Sequence, residues 1–195
     1  MEKYVAEFLG TFALSSIVAL SIHKEFGLAT PILAALTLML FVYSVGHISG
    51  AHLNPAVTIG AFSLDKIKLS ETFGYLAVQF LGAIAALILL KSYPGKEVTF
   101  AANNSGIEGF AEFFGTFIFT FGVAAVMYGK VPSHLNGIVV GGSLLLGIAF
   151  ASFLGSNAML NPAVAFSVGS FDWMYIFGPI IGAIAGMNVY KFLKK

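Results

Sequence analysis

Leu53-Asn54-Pro55-Ala56-Val57 and Leu160-Asn161-Pro162-Ala163-Val164 are the same five residues written twice, 107 positions apart. In each copy a Pro follows an Asn and opens an apolar run, 54–63 in the first and 161–169 in the second. Pro suits the first position of a helix, where its missing N–H would have had no partner anyway, and Asn is a strong N-cap. The spacing predicts two short helices capped by Asn54 and Asn161. Each run is about half of the roughly 20 apolar residues that a bilayer crossing needs, so neither spans a membrane, and both are expected to dip in as re-entrant half-helices.

Outward from these segments lie six longer apolar runs, near 4–22, 28–48, 70–91, 108–128, 136–155 and 172–193. With 58% hydrophobic and 10% charged residues and a mean hydropathy of +0.91, the 195-residue chain lies far from soluble domains, where about 25% of residues are charged. The expected fold is an all-α membrane protein of six crossings plus two half-helices, one domain over 1–195. The first run has no small-residue cleavage site after it and reads as a retained helix. Lys3, Lys66, Lys68, Lys130, Lys191, Lys194 and Lys195 fall on one side of this map, against Lys24, Lys91 and Lys96 on the other, which puts both termini in the cytoplasm. A net charge of +1 without a basic patch gives no reason to expect nucleic acid. The absence of Cys excludes disulfides and thiolate sites.

The repeat extends beyond the two motifs. Ala-Glu-Phe-Leu-Gly-Thr-Phe at 6–12 returns as Ala-Glu-Phe-Phe-Gly-Thr-Phe at 111–117, and Gly-Ala-Ile-Ala at 82–85 returns at 182–185. Three crossings per half is an odd number, so the halves, about 1–92 and 106–195 around a linker at 93–105 with Pro94, are inverted about an axis in the membrane plane. Two half-helix N-termini then meet near the midplane, each with a partial positive charge that repels cations. The irregular segments His47–Leu53 and Gly155–Leu160 are tolerated at membrane depth only where they line a wet cavity or are buried in protein. Their carbonyls would accept from a permeating molecule while the Asn54 and Asn161 amides donate. That is the chemistry of a selective pore for small neutral polar molecules.

Glu7 and Glu112 are carboxylates inside apolar runs, where such groups need a reason. A proton relay is one reading. Their equivalence under the repeat favours a structural one, accepting hydrogen bonds from the loop backbones. His47 and His52, five apart, offer two metal ligands but no third, and read as bracing the loop or edging the pore; neither metal nor cofactor is expected. Gly10, Gly74, Gly82, Gly115, Gly178, Gly182 and Gly186 read as helix contacts, and Trp173 with Tyr175 as an interfacial belt. No catalytic constellation stands out, so an enzyme is not expected. A secondary transporter shares inverted repeats and broken helices, but needs an ion-coupling site, and the midspan acids form only the symmetric pair.

Gly-His-Ile-Ser-Gly-Ala-His-Leu-Asn-Pro-Ala-Val-Thr at 46–58, with the second Asn-Pro-Ala, the Ala-Glu-Phe repeats and Gly-Pro-x-x-Gly-Ala at 178–183, resembles the aquaporin family over nearly the whole chain. The resemblance implies an hourglass pore lined at its waist by Asn54, Pro55, Ala56, Asn161, Pro162 and Ala163. It also implies a homotetramer with one pore per subunit and passive conduction of water or small solutes. Most water and glycerol channels of this family follow the second motif with Arg; here Val164 stands there, and the chain has no Arg. Counting back at the family's spacing places the other outer-filter positions on Ala34, Ala149 and Ala158, or one residue away on Leu33, Ala35 or Phe150. The expected filter is wider and less polar than that of a water-selective channel, admitting solutes of glycerol or urea size; the alternative is a water-only channel. Asn157 stands where the family commonly has Gly, and is expected to take up a left-handed backbone in its place.

Overall fold

An apolar run inside a bilayer has no water to satisfy its backbone, so it closes its hydrogen bonds internally as a helix. The computed structural model describes residues 1–23, 29–92 and 106–194; the linker at 93–105 with Pro94, and the orienting Lys24, Lys96 and Lys195, lie outside them. The described residues form α1 (Glu2–His23), α2 (Thr30–Ser49), α3 (Pro55–Ser63), α4 (Leu69–Lys91), α5 (Gly106–Met127), α6 (Asn136–Phe153), α7 (Pro162–Ser167) and α8 (Trp173–Leu193). Six of these, all but α3 and α7, are long and apolar enough to cross a membrane. The 22 residues of α1 or α5 reach about 33 Å at 1.5 Å per residue, against a hydrocarbon core of about 30 Å. The nine residues of α3 reach only about 13 Å.

Helix contacts come in inverted pairs. α1 packs on α2 and α4 as α5 packs on α6 and α8, α3 lies against α8 as α7 lies against α4, and α2 meets α6 across the pseudo-twofold axis. Lipid tails are as apolar as the helices, so association depends on close packing, which small residues permit. A Cβ on Gly82 would lie 2.7 Å from the Phe8 carbonyl oxygen, and one on Gly182 would strike the Phe113 carbonyl oxygen directly. Gly115 and Gly147 meet face to face between α5 and α6. In one pair the filler has changed sides: Tyr4 of α1 fills the space over Gly74 of α4, whereas Met174 of α8 fills the space over Gly109 of α5.

Candidate functional site

The two half-helices point their N-termini at each other, and the loops leading into them have alternating handedness. Ala51 and Leu53 in the first loop, and Ala158 and Leu160 in the second, all have φ between +47° and +54°. His52 and Met159 between them do not. Left-handed backbone costs an L-residue roughly 1–2 kcal/mol, so something must hold it. Two buried carboxylates do. Glu7 Oε1 accepts from the His52 N–H at 2.9 Å and the Ser49 hydroxyl at 2.8 Å, and its Oε2 accepts from the Leu53 N–H at 2.7 Å and the Gln79 amide at 2.9 Å. Glu112 Oε1 accepts from the Met159 N–H at 2.9 Å and the Ser156 hydroxyl at 2.6 Å, and its Oε2 from the Leu160 N–H at 2.7 Å. With the loop N–H groups turned to the carboxylates, the carbonyls of Ala51, His52, Ala158 and Met159 accept no hydrogen bond from the described residues. They are left open at the cavities these residues line.

Each motif Asn ties the halves together. Asn54 Oδ1 caps α3 through the Ala56 N–H at 2.8 Å, while its amide donates to the Leu160 carbonyl at 2.8 Å. Asn161 Oδ1 caps α7 by accepting from the Ala163 N–H at 3.0 Å, while its amide Nδ2 donates to the Leu53 carbonyl at 3.0 Å. A carboxamide has two N–H donors, and each Asn uses one of them here, leaving the second for a molecule in the cavity that both side chains line. Asn161→Ala should cost about 1–2 kcal/mol for the lost cap. A lower thermal unfolding midpoint in detergent would register it, and no shift would show that the cap does not hold α7.

Three cavities follow one another through this waist. A chamber of about 170 Å³ is lined by Ala34, Ile148, Asn157, Ala158, Val164 and others. A narrow space of about 40 Å³ shares Leu38, His52 and Phe119 with it. A vestibule of about 650 Å³ shares Val42, Gly50, His52, Val126 and Met127 with the narrow space. The chamber and the vestibule have only His52 in common, so the order runs chamber, narrow space, vestibule. Lys3, near the N-terminus, and Lys66 line the vestibule, which places it on the side of both chain ends.

Ala34, Ala158 and Val164 line the chamber, but Ala149 does not; Ile148 does. The lining residues of α6 are Leu144, Ile148 and Ser152, four apart on one helix face, and Ala149 is turned away by one residue's rotation. Counting back through the loop from the second motif cannot see that rotation. Asn157 lacks the expected left-handed backbone: Gly155, at φ +88°, makes the turn at the end of α6. His52 is buried, with Nδ1 3.1 Å from the Thr58 hydroxyl and its ring edge-on to Tyr75. His47, on the last turn of α2, is exposed to the vestibule and makes no hydrogen bond among the described residues, so it braces nothing. Tyr175 is not interfacial. It is fully buried and its hydroxyl donates to Glu108 at 3.1 Å, whereas Trp173 is exposed and stacks on Phe177.

Sequence reasoning missed Gln79, whose amide donates to both Glu7 and Thr58, at 2.9 Å each, and Tyr75, whose hydroxyl donates to the Ser49 carbonyl at 2.8 Å. A lone Gln in an otherwise apolar crossing was the available signal.

The family model described as major intrinsic protein matches residues 1–190. Among similar proteins, Aquaporin NIP1-3 from Oryza sativa subsp. japonica is 35% identical, the match covering 99% of this chain and 74% of that one. Aquaporin Z from Photorhabdus laumondii is 30% identical, covering 99% of this chain and 97% of that one. A solved structure, the aquaglyceroporin from Plasmodium falciparum, superposes with a TM-score of 0.70 over 99% of this chain and 95% of its own, at 22% identity, a likeness of fold. By its motifs, its inverted halves and these matches, the chain belongs to the major intrinsic protein family, the aquaporin channels of membranes.

Proposed function

We propose that the chain passively conducts water together with uncharged solutes of glycerol or urea size, the breadth being set in the chamber. The observation that carries this reading is the chamber's lining. At the four positions nearest the expected filter, Ala34, Ile148, Ala158 and Val164 supply neither a charge nor an aromatic ring, and about 170 Å³ of space lies between them and their neighbours. That volume is room for roughly five waters at about 30 Å³ each, or for one small polyol. Ile148 is bulkier than the Ala expected on α6, so the wall is apolar rather than merely open.

A solute in this chamber gives up much of its water shell against apolar walls, and regains hydrogen bonds at the waist. There the free Asn54 and Asn161 N–H groups donate and the open loop carbonyls accept. Cations meet the positive ends of two half-helices and no carboxylate among the residues that line the chamber. On the lysine distribution, both termini and the wide vestibule face the cytoplasm. The family resemblance adds a homotetramer, one pore per subunit.

Stopped-flow light scattering of proteoliposomes tests this. Shrinkage against an impermeant sugar is expected to be fast and followed by re-swelling in glycerol or urea. Val164→Arg should put a charged donor across the chamber and slow re-swelling about tenfold, the effect of roughly 1.4 kcal/mol on a barrier. Vesicles that shrink and never re-swell would leave a water-only channel in its place.

A further inference from the structure

Asn157 has no backbone reason to be Asn. The turn is made by Gly155, and Asn157 itself is outside the left-handed region, so a wide choice of side chains fits its conformation. Its main chain is nonetheless fixed: the N–H donates to the Tyr175 hydroxyl at 3.4 Å, and that hydroxyl is tied to Glu108. Its side chain is exposed, lines the chamber and makes no hydrogen bond among the described residues. The other polar groups of the lining are placed or engaged elsewhere. Asn54 and Asn161 belong to the waist, His52 is held by Thr58, and the Thr30 hydroxyl is bonded to Ser21 at 3.0 Å. Of the lining side chains, this leaves Asn157, with the small hydroxyl of the exposed Ser152, as the free polar surface at the chamber's mouth.

We propose that the Asn157 carboxamide is a specificity-determining group of the channel. It hydrogen-bonds a small polyol or urea as that solute sheds water and moves into the apolar chamber. A carboxamide both donates and accepts without carrying charge, so it matches neighbouring hydroxyls on a polyol, or the N–H and C=O edge of urea, and adds no net charge to the mouth. Water needs the group least, because a single water loses little by passing an apolar ring that its neighbours in the file still hydrate. The group therefore lowers the barrier for the larger solute more than for water.

This inference rests on the broad-solute reading above, and the experiment separates the two. Glycerol and water permeabilities are measured side by side in proteoliposomes of the parent chain, Asn157→Ala and Asn157→Ser, with the thermal unfolding midpoint of each. Asn157→Ala should lower the glycerol-to-water ratio about five- to tenfold, the worth of one neutral hydrogen bond. Water flux and unfolding should stay near the parent's, and Asn157→Ser should keep part of the ratio. An unchanged or raised ratio in Asn157→Ala overturns the role of Asn157 and leaves the broad pore standing. A proportional fall in both fluxes makes the residue structural and also overturns it. A parent that passes water but no glycerol or urea removes both readings together.

Discussion

Glu7→Ala is expected to abolish water conduction and to leave little folded protein, because four buried donors lose their acceptor at once. The Ser49 hydroxyl, the His52 and Leu53 N–H groups and the Gln79 amide all converge on this one carboxylate. Each buried donor left without a partner costs about 1–3 kcal/mol, so the four together come close to the whole stability of an ordinary domain, about 5–15 kcal/mol. The damage is also local in kind. Without the carboxylate, the left-handed Ala51 and Leu53 keep only the Ser49 hydroxyl and the Asn161 amide as partners, and the first loop can turn its carbonyls away from the cavities. Glu112→Ala should hurt less, since three donors rather than four meet there. Stopped-flow water flux and thermal unfolding in detergent, run on both variants, give the ranking. If Glu112→Ala were the more damaging, the Gln79 link would contribute nothing.

Gly182→Leu is expected to be comparably severe by a different route. The first carbon of any side chain there meets the Phe113 carbonyl oxygen, which belongs to a helix backbone and cannot swing aside as a side-chain tip can. Overpacking of a well-fitted core costs about 1–3 kcal/mol per insertion and sometimes more, and a whole Leu between α5 and α8 should exceed the upper figure. Moving α8 outward would also drag Tyr175 from beneath the second loop. Gly142→Ala is the control, since a Cβ there meets nothing within 4 Å, and its unfolding midpoint should stay close to the parent's. An intact, conducting Gly182→Leu would mean that the α5–α8 contact has slack.

The architecture was open to reading because a bilayer leaves few choices. Long apolar runs must be helices, and two Asn-Pro pairs at matching places in an inverted repeat have one sensible location. The same logic reached Glu7 and Glu112, since a carboxylate in lipid needs donors and the loops supply them. What escaped depends on rotation and local backbone rather than on pattern. Whether Ile148 or Ala149 faces the chamber turns on about 100° of helix rotation, which an intervening irregular loop conceals. Asn157 looked like a stand-in for Gly, because sequence cannot say that Gly155 has already made the turn. Tyr175 looked interfacial from its place near the start of α8, but it sits on the inward face of that helix and its ring is buried, while Trp173 on the same turn faces outward. His47 and His52 share a motif, yet Gly50 ends α2 between them with a left-handed cap, leaving one exposed on the vestibule and the other buried against Thr58 of the half-helix.

The left-handed residues at 51, 53, 158 and 160 bear on how such a channel changes over generations. The open acceptors of their loops, at Ala51, His52, Ala158 and Met159, are main-chain oxygens, which every amino acid carries, so exchanging a side chain in the loop itself does not remove them while Glu7 and Glu112 hold the backbone. The chamber is different, because its character resides in replaceable side chains such as Ile148, Asn157 and Val164. A lineage can therefore try new solutes by exchanging a handful of residues at one end of the pore, while the segment that conducts every solute passes to descendants unaltered.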